Sequence, residues 1–215
     1  MSQNCLYYQP HNRRRLMLKY ILAAITSLIV STAYADVTYN KDTHTVSISG
    51  YTNHEQADKL YQIFKKNDVA IAIMSGPGGD YYAGLKMGQM IANEGLTVIV
   101  KERTECISAC AFMALAGENI IVDGRVMFHA PYFQQAPTDV TLLQLAHKFG
   151  EGYIDMANYL LKRGSSIYFA RQIITQTTYC KFIAIDSGEA MMDIKSAGSS
   201  TSMIYYKNLI INKCR

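Results

Sequence analysis

The sequence predicts an α/β fold in which a largely parallel sheet is flanked by helices. Two apolar runs, Val69–Met74 and Leu96–Val100, lack alternating polar residues, as expected for strands that are covered on both faces. Helical patterns of apolar residues follow each of these runs. Because strands that alternate with helices usually pair in parallel through right-handed crossovers, this order favours an α/β domain.

Apolar periodicity and turn residues define the other elements. The pattern at Val37–Tyr39 and Thr45–Ser49 predicts two short strands joined by a turn. Apolar residues at helical spacing predict the helices, which are His54–Lys66, Tyr82–Asn93, Ser108–Ala116, Thr141–Arg163 and Ile167–Gln176.

Two further strand predictions concern the second half of the chain. Asn119–Val122 and Arg125–His129 flank Asp123-Gly124, a dipeptide typical of two-residue hairpins, so these strands are expected to pair. Met203–Ile211 is a candidate last strand.

The start of the chain has the pattern of a cleaved secretory signal. Arg13–Arg15 precede the mostly apolar Leu16–Val30, and Ala33–Ala35 is typical of a cleavage site. The uninterrupted apolar stretch is too short for a bilayer core of ~30 Å, which favours cleavage over a retained anchor. We expect residues 1–35 to be removed, residues 36–215 to form a single domain, and the protein to be periplasmic or secreted. Both the general secretory and the twin-arginine route stay open.

Cleavage would also change the net charge. The whole chain has 21 basic and 17 acidic residues, a formal net charge of +4. Four basic residues lie in the signal (Arg13, Arg14, Arg15 and Lys19), so the mature chain keeps 17 of each sign. A neutral chain does not have the basic footprint of a nucleic-acid-binding protein.

Four cysteines remain after cleavage: Cys106, Cys110, Cys180 and Cys214. An even number in an exported protein indicates two disulfides, and four cysteines allow three connectivities. No second Cys/His pair matches Cys106 and Cys110, so a zinc site is not predicted.

Three short motifs in fixed order carry the chemistry: Ser-Gly-Pro-Gly-Gly at 75–79, Cys-Ile-Ser-Ala-Cys at 106–110 and Met-Phe-His-Ala-Pro at 127–131. The glycine turn can present backbone N–H groups, Ser108 opens a small-residue helix, and His129 ends a strand. Together they supply an oxyanion site, a nucleophile and a general base. Taken alone, each has a plainer explanation: a turn, a helix N-cap and a hydrogen-bonded core histidine.

The motifs resemble those of ClpP, the proteolytic subunit of the Clp protease, and of its exported, cysteine-bearing relatives, over about 69–131. The resemblance implies the ClpP/crotonase fold, a superhelix of β-β-α units. It implies that Ser108 is the nucleophile, that His129 is the base, and that the N–H groups of Gly79 and Ala109 form the oxyanion hole. Gly79 and Ser108 are 29 positions apart, as in the family.

Two features depart from the family pattern. Gly76 is inserted between the serine and the proline of the turn. Alignment of Phe182 with the family's phenylalanine puts Cys180 where the third catalytic residue, an aspartate, should be. Asp186 is the nearest candidate replacement, and Glu189 is the next.

The cysteine at the aspartate position suggests a disulfide hypothesis. If Cys180 lies beside the active site, it can pair with Cys106, which leaves Cys110 for Cys214. That disulfide would fix the loop that a carboxylate otherwise anchors.

The resemblance predicts an exported serine peptidase that hydrolyses peptides or unfolded segments. We expect no metal or nucleotide cofactor, no ATP-driven unfoldase and no membrane partner after cleavage. Thr141–Arg163 corresponds to the family's long helix used in ring contacts, which suggests a homo-oligomer. Two alternatives stay open: an inactive scaffold or peptide-binding protein, supported by the missing aspartate, and a crotonase-type acyl-CoA enzyme, which export disfavours.

Overall fold

The largest sheet has five strands and supports one side of the candidate site. The computed structural model describes residues 36–132, 141–178, 180–196 and 210–212. The sheet order is β1-β2-β4-β6-β8, where β1 is antiparallel to β2 and the other neighbours are parallel. The strands are β1 (Asp36–Asn40), β2 (Thr45–Ser49), β4 (Ile71–Met74), β6 (Thr97–Val100) and β8 (Asn119–Val122).

Two smaller sheets complete the strand framework. A four-stranded sheet has the order β11-β10-β9-β7, with β7 parallel to β9 and the other pairs antiparallel. A short parallel pair joins β3 to β5. These strands are β3 (Tyr51–Thr52), β5 (Gly78–Gly79), β7 (Glu105–Ile107), β9 (Arg125–Phe128), β10 (Lys181–Ile185) and β11 (Ile210–Asn212).

Helices cover the sheets, and the predicted helices are confirmed to within a few residues at their ends. Polar side chains cap five of them by accepting hydrogen bonds from first-turn N–H groups. These side chains are Asn53, Asp80, Thr141, Ser166 and Ser187. The helices are α1 (His54–Lys66), α2 (Tyr81–Asn93), α3 (Ala109–Ala114), α4 (Leu142–Lys162), α5 (Ile167–Gln176) and α6 (Gly188–Ser196). None of those in the described ranges is long and apolar enough to cross a membrane.

The α/β class is confirmed, but the sheets are mixed, and one pairing prediction is wrong. β8 and β9 do not form a hairpin: β8 pairs with β6, and β9 pairs with β7 and β10. Asp123 and Gly124 both donate their N–H groups to the Val100 carbonyl, at 2.9 and 3.1 Å, and pass the chain from one sheet to the other. Asp123-Gly124 therefore forms a bend and not a hairpin turn, and β8 and β9 pair with strands that are distant in sequence.

Five elements of the structure were not predicted from the sequence. They are the short strands β3, β5 and β7, strand β10 and helix α6. The predicted last strand, Met203–Ile211, overlaps β11 at residues 210–211, and its other residues lie outside the described part of the chain.

We expect Gly124→Ala to lower the free energy of unfolding by about 1–3 kcal/mol, because a new methyl group must be forced into a packed turn. A Cβ at Gly124 would overlap the carbonyl oxygens of Lys101 and Thr104. Urea unfolding of the purified protein measures the change. Gly150→Ala is the control: a Cβ there meets nothing within 4 Å, and alanine in a helix should add about 0.5–1 kcal/mol. Equal stability of both variants would contradict the tight turn.

Candidate active site

Ser108 occupies a strained turn between β7 and α3. Its backbone has φ 59° and ψ −122°, a conformation that costs a residue with a side chain about 1–3 kcal/mol. The Ser108 N–H donates to the Met127 carbonyl at 2.8 Å, which ties the turn to β9. The Ser108 side chain makes no capping hydrogen bond to α3. Ser108 therefore occupies the N-cap position of α3, but its hydroxyl does not cap the helix.

A disulfide brackets this turn, and it is not the predicted one. Cys106 and Cys110 are bonded to each other, with their Cα atoms 5.1 Å apart. Both are buried, two residues on either side of Ser108. The hypothesis that Cys106 pairs with Cys180 is wrong, and so is the pairing of Cys110 with Cys214. Cys180 is itself disulfide-bonded, and Cys214 lies outside the described residues.

The glycine turn runs directly beside the serine turn. Gly76 and Cys106 form a parallel bridge: the Gly76 N–H donates to the Glu105 carbonyl at 2.7 Å, and the Ile107 N–H donates to the Gly76 carbonyl at 2.9 Å. A Cβ at Gly78 would lie 2.6 Å from the Ser108 Cβ and 2.9 Å from the Ala109 nitrogen. Only glycine allows so close an approach.

The two residues predicted to form the oxyanion hole, Gly79 and Ala109, lie on either side of the serine turn. Gly79 lines the same cavity as Ser108, and the next N–H, that of Asp80, donates to the Thr52 carbonyl at 2.8 Å. Ala109 is the first residue of α3, where an N–H has no partner within the helix.

His129 follows β9 and is held in a defined orientation. Its side chain is 4% exposed, and its Nδ1 lies 2.7 Å from the Ala130 carbonyl oxygen. Because a carbonyl oxygen can only accept, Nδ1 carries the proton and Nε2 keeps its lone pair. Burial lowers the pKa of His129 below its ordinary value, while the Ala130 hydrogen bond acts in the opposite direction. His129 thus has the neutral form and tautomer of a general base.

The partner of His129 is itself fixed by the fold. The Ala130 N–H donates to the Thr177 hydroxyl at 2.8 Å, and that hydroxyl donates to the Ile173 carbonyl of α5. The rings of Phe182 and Tyr132 flank the imidazole, with centroids 5.1 and 5.3 Å away. The contact of His129 with Ala130 was not predicted, because a backbone carbonyl is common to every residue. The role of Thr177 was missed with it, since Thr177 acts by holding Ala130.

The predicted third residue, Asp186, does not lie beside His129. In the antiparallel pair β9–β10, Ile183 faces Phe128 and Ile185 faces Val126. By this register Phe182 lies opposite His129, and Asp186 is four residues further along the strand pair. At ~3.3 Å per residue, the two positions are about 13 Å apart. The Asp186 side chain is exposed. Asp186 therefore does not replace the aspartate. Glu189 belongs to α6, and its side chain lies outside the described part of the structure.

Ser108, His129 and Gly79 line one cavity of about 390 Å³. The walls are mostly aromatic, and sequence reasoning did not single them out, although the pair Tyr81-Tyr82 directly after the glycine turn was a usable signal. The other lining residues are Tyr51, Pro77, Asp80, Tyr81, Tyr82, Phe112, Pro131 and Tyr132. No group of three or more potential metal ligands occurs among the residues the structure describes.

Comparison with solved structures finds this fold at low sequence identity. A point mutant of ClpP1 from Listeria monocytogenes matches 72% of this chain and 89% of its own with a TM-score of 0.54 and 18% identity. A point mutant of the membrane-bound stomatin-specific protease 1510-N matches 70% of this chain and 74% of its own with a TM-score of 0.49 and 14% identity. No family model matches the sequence, and no curated protein does. The chain has a mixed α/β fold of the ClpP type.

We expect the double variant Cys106→Ala/Cys110→Ala to lose about 2 kcal/mol of stability, as for removal of a disulfide that closes a short loop. It should also react more slowly with a fluorophosphonate probe, because Ser108 can then relax from its strained conformation. Urea unfolding and the rate of labelling measure the two effects. Gly124→Ala, destabilised at a distance from the site, is the control. Equally slow labelling of both variants would mean that general destabilisation is the cause.

The reaction of Ser108 with the same probe should depend on the protonation of His129. Only neutral imidazole could act as the predicted base, and burial lowers the pKa of His129 below its ordinary value of 6.5, so the labelling rate should fall to half at a pH below 6.5. The rate measured from pH 4.5 to 8 gives the midpoint. His129→Gln, which cannot titrate, should lack this acid limb. A midpoint at or above 6.5 would contradict a buried imidazole without a carboxylate partner.

Proposed function

We propose that this protein is a serine peptidase that uses a Ser108–His129 dyad and a backbone oxyanion hole. One observation carries the proposal: Ser108 lies in a strained turn, its side chain does not cap α3, and it lines the same cavity as His129 and Gly79. The ClpP-type fold supports it. We further propose that the repeated strand and helix units correspond to the superhelix of that fold.

The proposed reaction begins when His129 Nε2 takes the proton of the Ser108 hydroxyl. The serine oxygen attacks the scissile carbonyl carbon, and the N–H groups of Gly79 and Ala109 bind the resulting oxyanion. The tetrahedral intermediate collapses as His129 returns the proton to the leaving amine, which gives an acyl-enzyme. Water then attacks the ester, with His129 again accepting and returning one proton.

The orienting role of the aspartate falls to the Ala130 carbonyl. Its hydrogen bond fixes the same tautomer, but a neutral carbonyl stabilises imidazolium less than a carboxylate does. Loss of the acid from a Ser-His-Asp triad costs about 10⁴ in turnover. We therefore propose a slow enzyme. The inactive scaffold is the competing function, since it needs the same cavity and no turnover.

The proposal includes the cellular compartment and the substrates. A disulfide at Cys106–Cys110 and a bonded Cys180 support an oxidising compartment, in agreement with cleavage of residues 1–35 and export. Substrates would be peptides or unfolded segments, handled without ATP. Helix α4 exposes Leu143, Ile154 and Leu161, and we propose this face for self-association.

Fluorophosphonate labelling of the oxidised, purified protein tests the proposal. We expect labelling of the wild type, none of Ser108→Ala, and a fall of at least about 100-fold in rate for His129→Ala, as is typical for loss of a general base. Mass spectrometry of the labelled peptide locates the adduct.

Asp186→Asn is the matched control, because the structure places that carboxylate away from His129. It should label at the wild-type rate, and a loss comparable to that of His129→Ala would restore Asp186 as a catalytic residue. A folded wild-type protein that does not label would favour the scaffold.

A further inference from the structure

We infer that the cavity beside Ser108 binds a basic side chain, lysine or arginine, of the peptide substrate. The inference rests on the proposed function, since it assigns the substrate class of the same site. Aromatic walls and one carboxylate together define the chemistry of the ligand.

Tyrosine rings form walls that remain open to a ligand. Tyr51, Tyr82 and Tyr132 are 44%, 52% and 45% exposed although they line the cavity. The Tyr51 ring lies against Gly79: a Cβ at Gly79 would be 3.0 Å from the Tyr51 Cε1 atom. Tyr82 packs edge-on against Tyr81, with centroids 5.2 Å apart. Such rings pack against the methylene stem of lysine or arginine and attract its cationic head.

The charge of the cavity has one sign. Asp80 is the single acidic residue among its lining residues, and they include no lysine or arginine. The side chain of Asp80 is 40% exposed, and it caps α2 by accepting from the Ala83 N–H at 2.7 Å. An ionised carboxylate has about four acceptor sites, so the cap leaves capacity for a cation.

Neighbouring carboxylates strengthen the negative potential of the cavity. Asp80, together with Asp155 and Glu151 of α4, lies close to the Tyr82 hydroxyl. Burial raises the pKa of Tyr82 most, and these carboxylates raise it further. A glutamate side chain in the cavity would meet like charge, and an apolar one would gain no attraction from the Asp80 carboxylate. The His54 ring also lies beside Asp80, with its Nε2 atom 3.6 Å from an Asp80 oxygen.

Matched fluorogenic peptides test the inference. The peptides place lysine, norleucine or glutamate in turn at each of the two positions on either side of the scissile bond. Norleucine keeps the stem of lysine and lacks its charge. At pH 8, where imidazoles are largely neutral, we expect kcat/KM for the lysine peptide to exceed that for norleucine at least tenfold at one position, with glutamate the poorest.

Asp80→Asn is the decisive variant, because asparagine is as good an N-cap as aspartate. The ratio of kcat/KM for the lysine peptide to kcat/KM for the norleucine peptide should fall to about two or less. Asp68→Asn is the control: its carboxylate is 92% exposed and lies before β4, whereas the cavity lies beyond the end of that strand. The control should keep the wild-type ratio.

Binding to Ser108→Ala separates this inference from the proposed function. Fluorescence anisotropy with the same peptides should show at least tenfold tighter binding of the lysine peptide, lost in Ser108→Ala/Asp80→Asn. If the wild type neither labels nor cleaves but this preference in binding persists, the peptidase is wrong and the basic subsite stands. If cleavage occurs with norleucine equal to lysine at every position, or if the preference survives Asp80→Asn, the basic subsite is overturned.

Discussion

The candidate site depends on one contact between two chain segments, the parallel bridge of Gly76 and Cys106. Two hydrogen bonds, of 2.7 and 2.9 Å, hold the glycine turn against the strand that leads to Ser108. The inserted glycine that departs from the ClpP pattern makes this bridge. A Cβ there would overlap the Gly50 carbonyl, so the residue cannot be enlarged. With the bridge in place, Gly78 lies directly against Ser108 and Ala109.

The strain at Ser108 persists because the surrounding structure leaves helix α3 no alternative position. All of its residues, Ala109–Ala114, are buried. Tyr159 of α4 donates a hydrogen bond of 2.7 Å to the Phe112 carbonyl, and Lys195 of α6 donates to the Gly117 carbonyl just beyond the helix. Gly84 allows α2 to approach Ala109 closely. Several elements therefore hold this short helix, which by itself is too short to be stable.

His129, the base of the proposed dyad, is oriented without an acid. The Ala130 carbonyl fixes the tautomer, and the Thr177 hydroxyl fixes Ala130. What is lost is the charge that would stabilise imidazolium, and burial lowers the pKa of His129 further. The imidazole thus keeps a defined orientation while its electrostatic support is reduced, which is why a slow enzyme and a binding protein are the two functions in contention.

Local rules let the sequence determine helices α1 to α5, the strands Ile71–Met74 and Thr97–Val100, and the motifs that hold Gly79, Ser108 and His129. Apolar periodicity, caps and glycine turns act over a few residues, so they can be read from the chain alone. Only the tertiary structure decided that β8 and β9 belong to different sheets, that Cys106 bonds Cys110, and that Asp186 lies away from His129. Those outcomes depend on the register between strands distant in sequence, and the Ala130 carbonyl belongs to the backbone, which every residue shares.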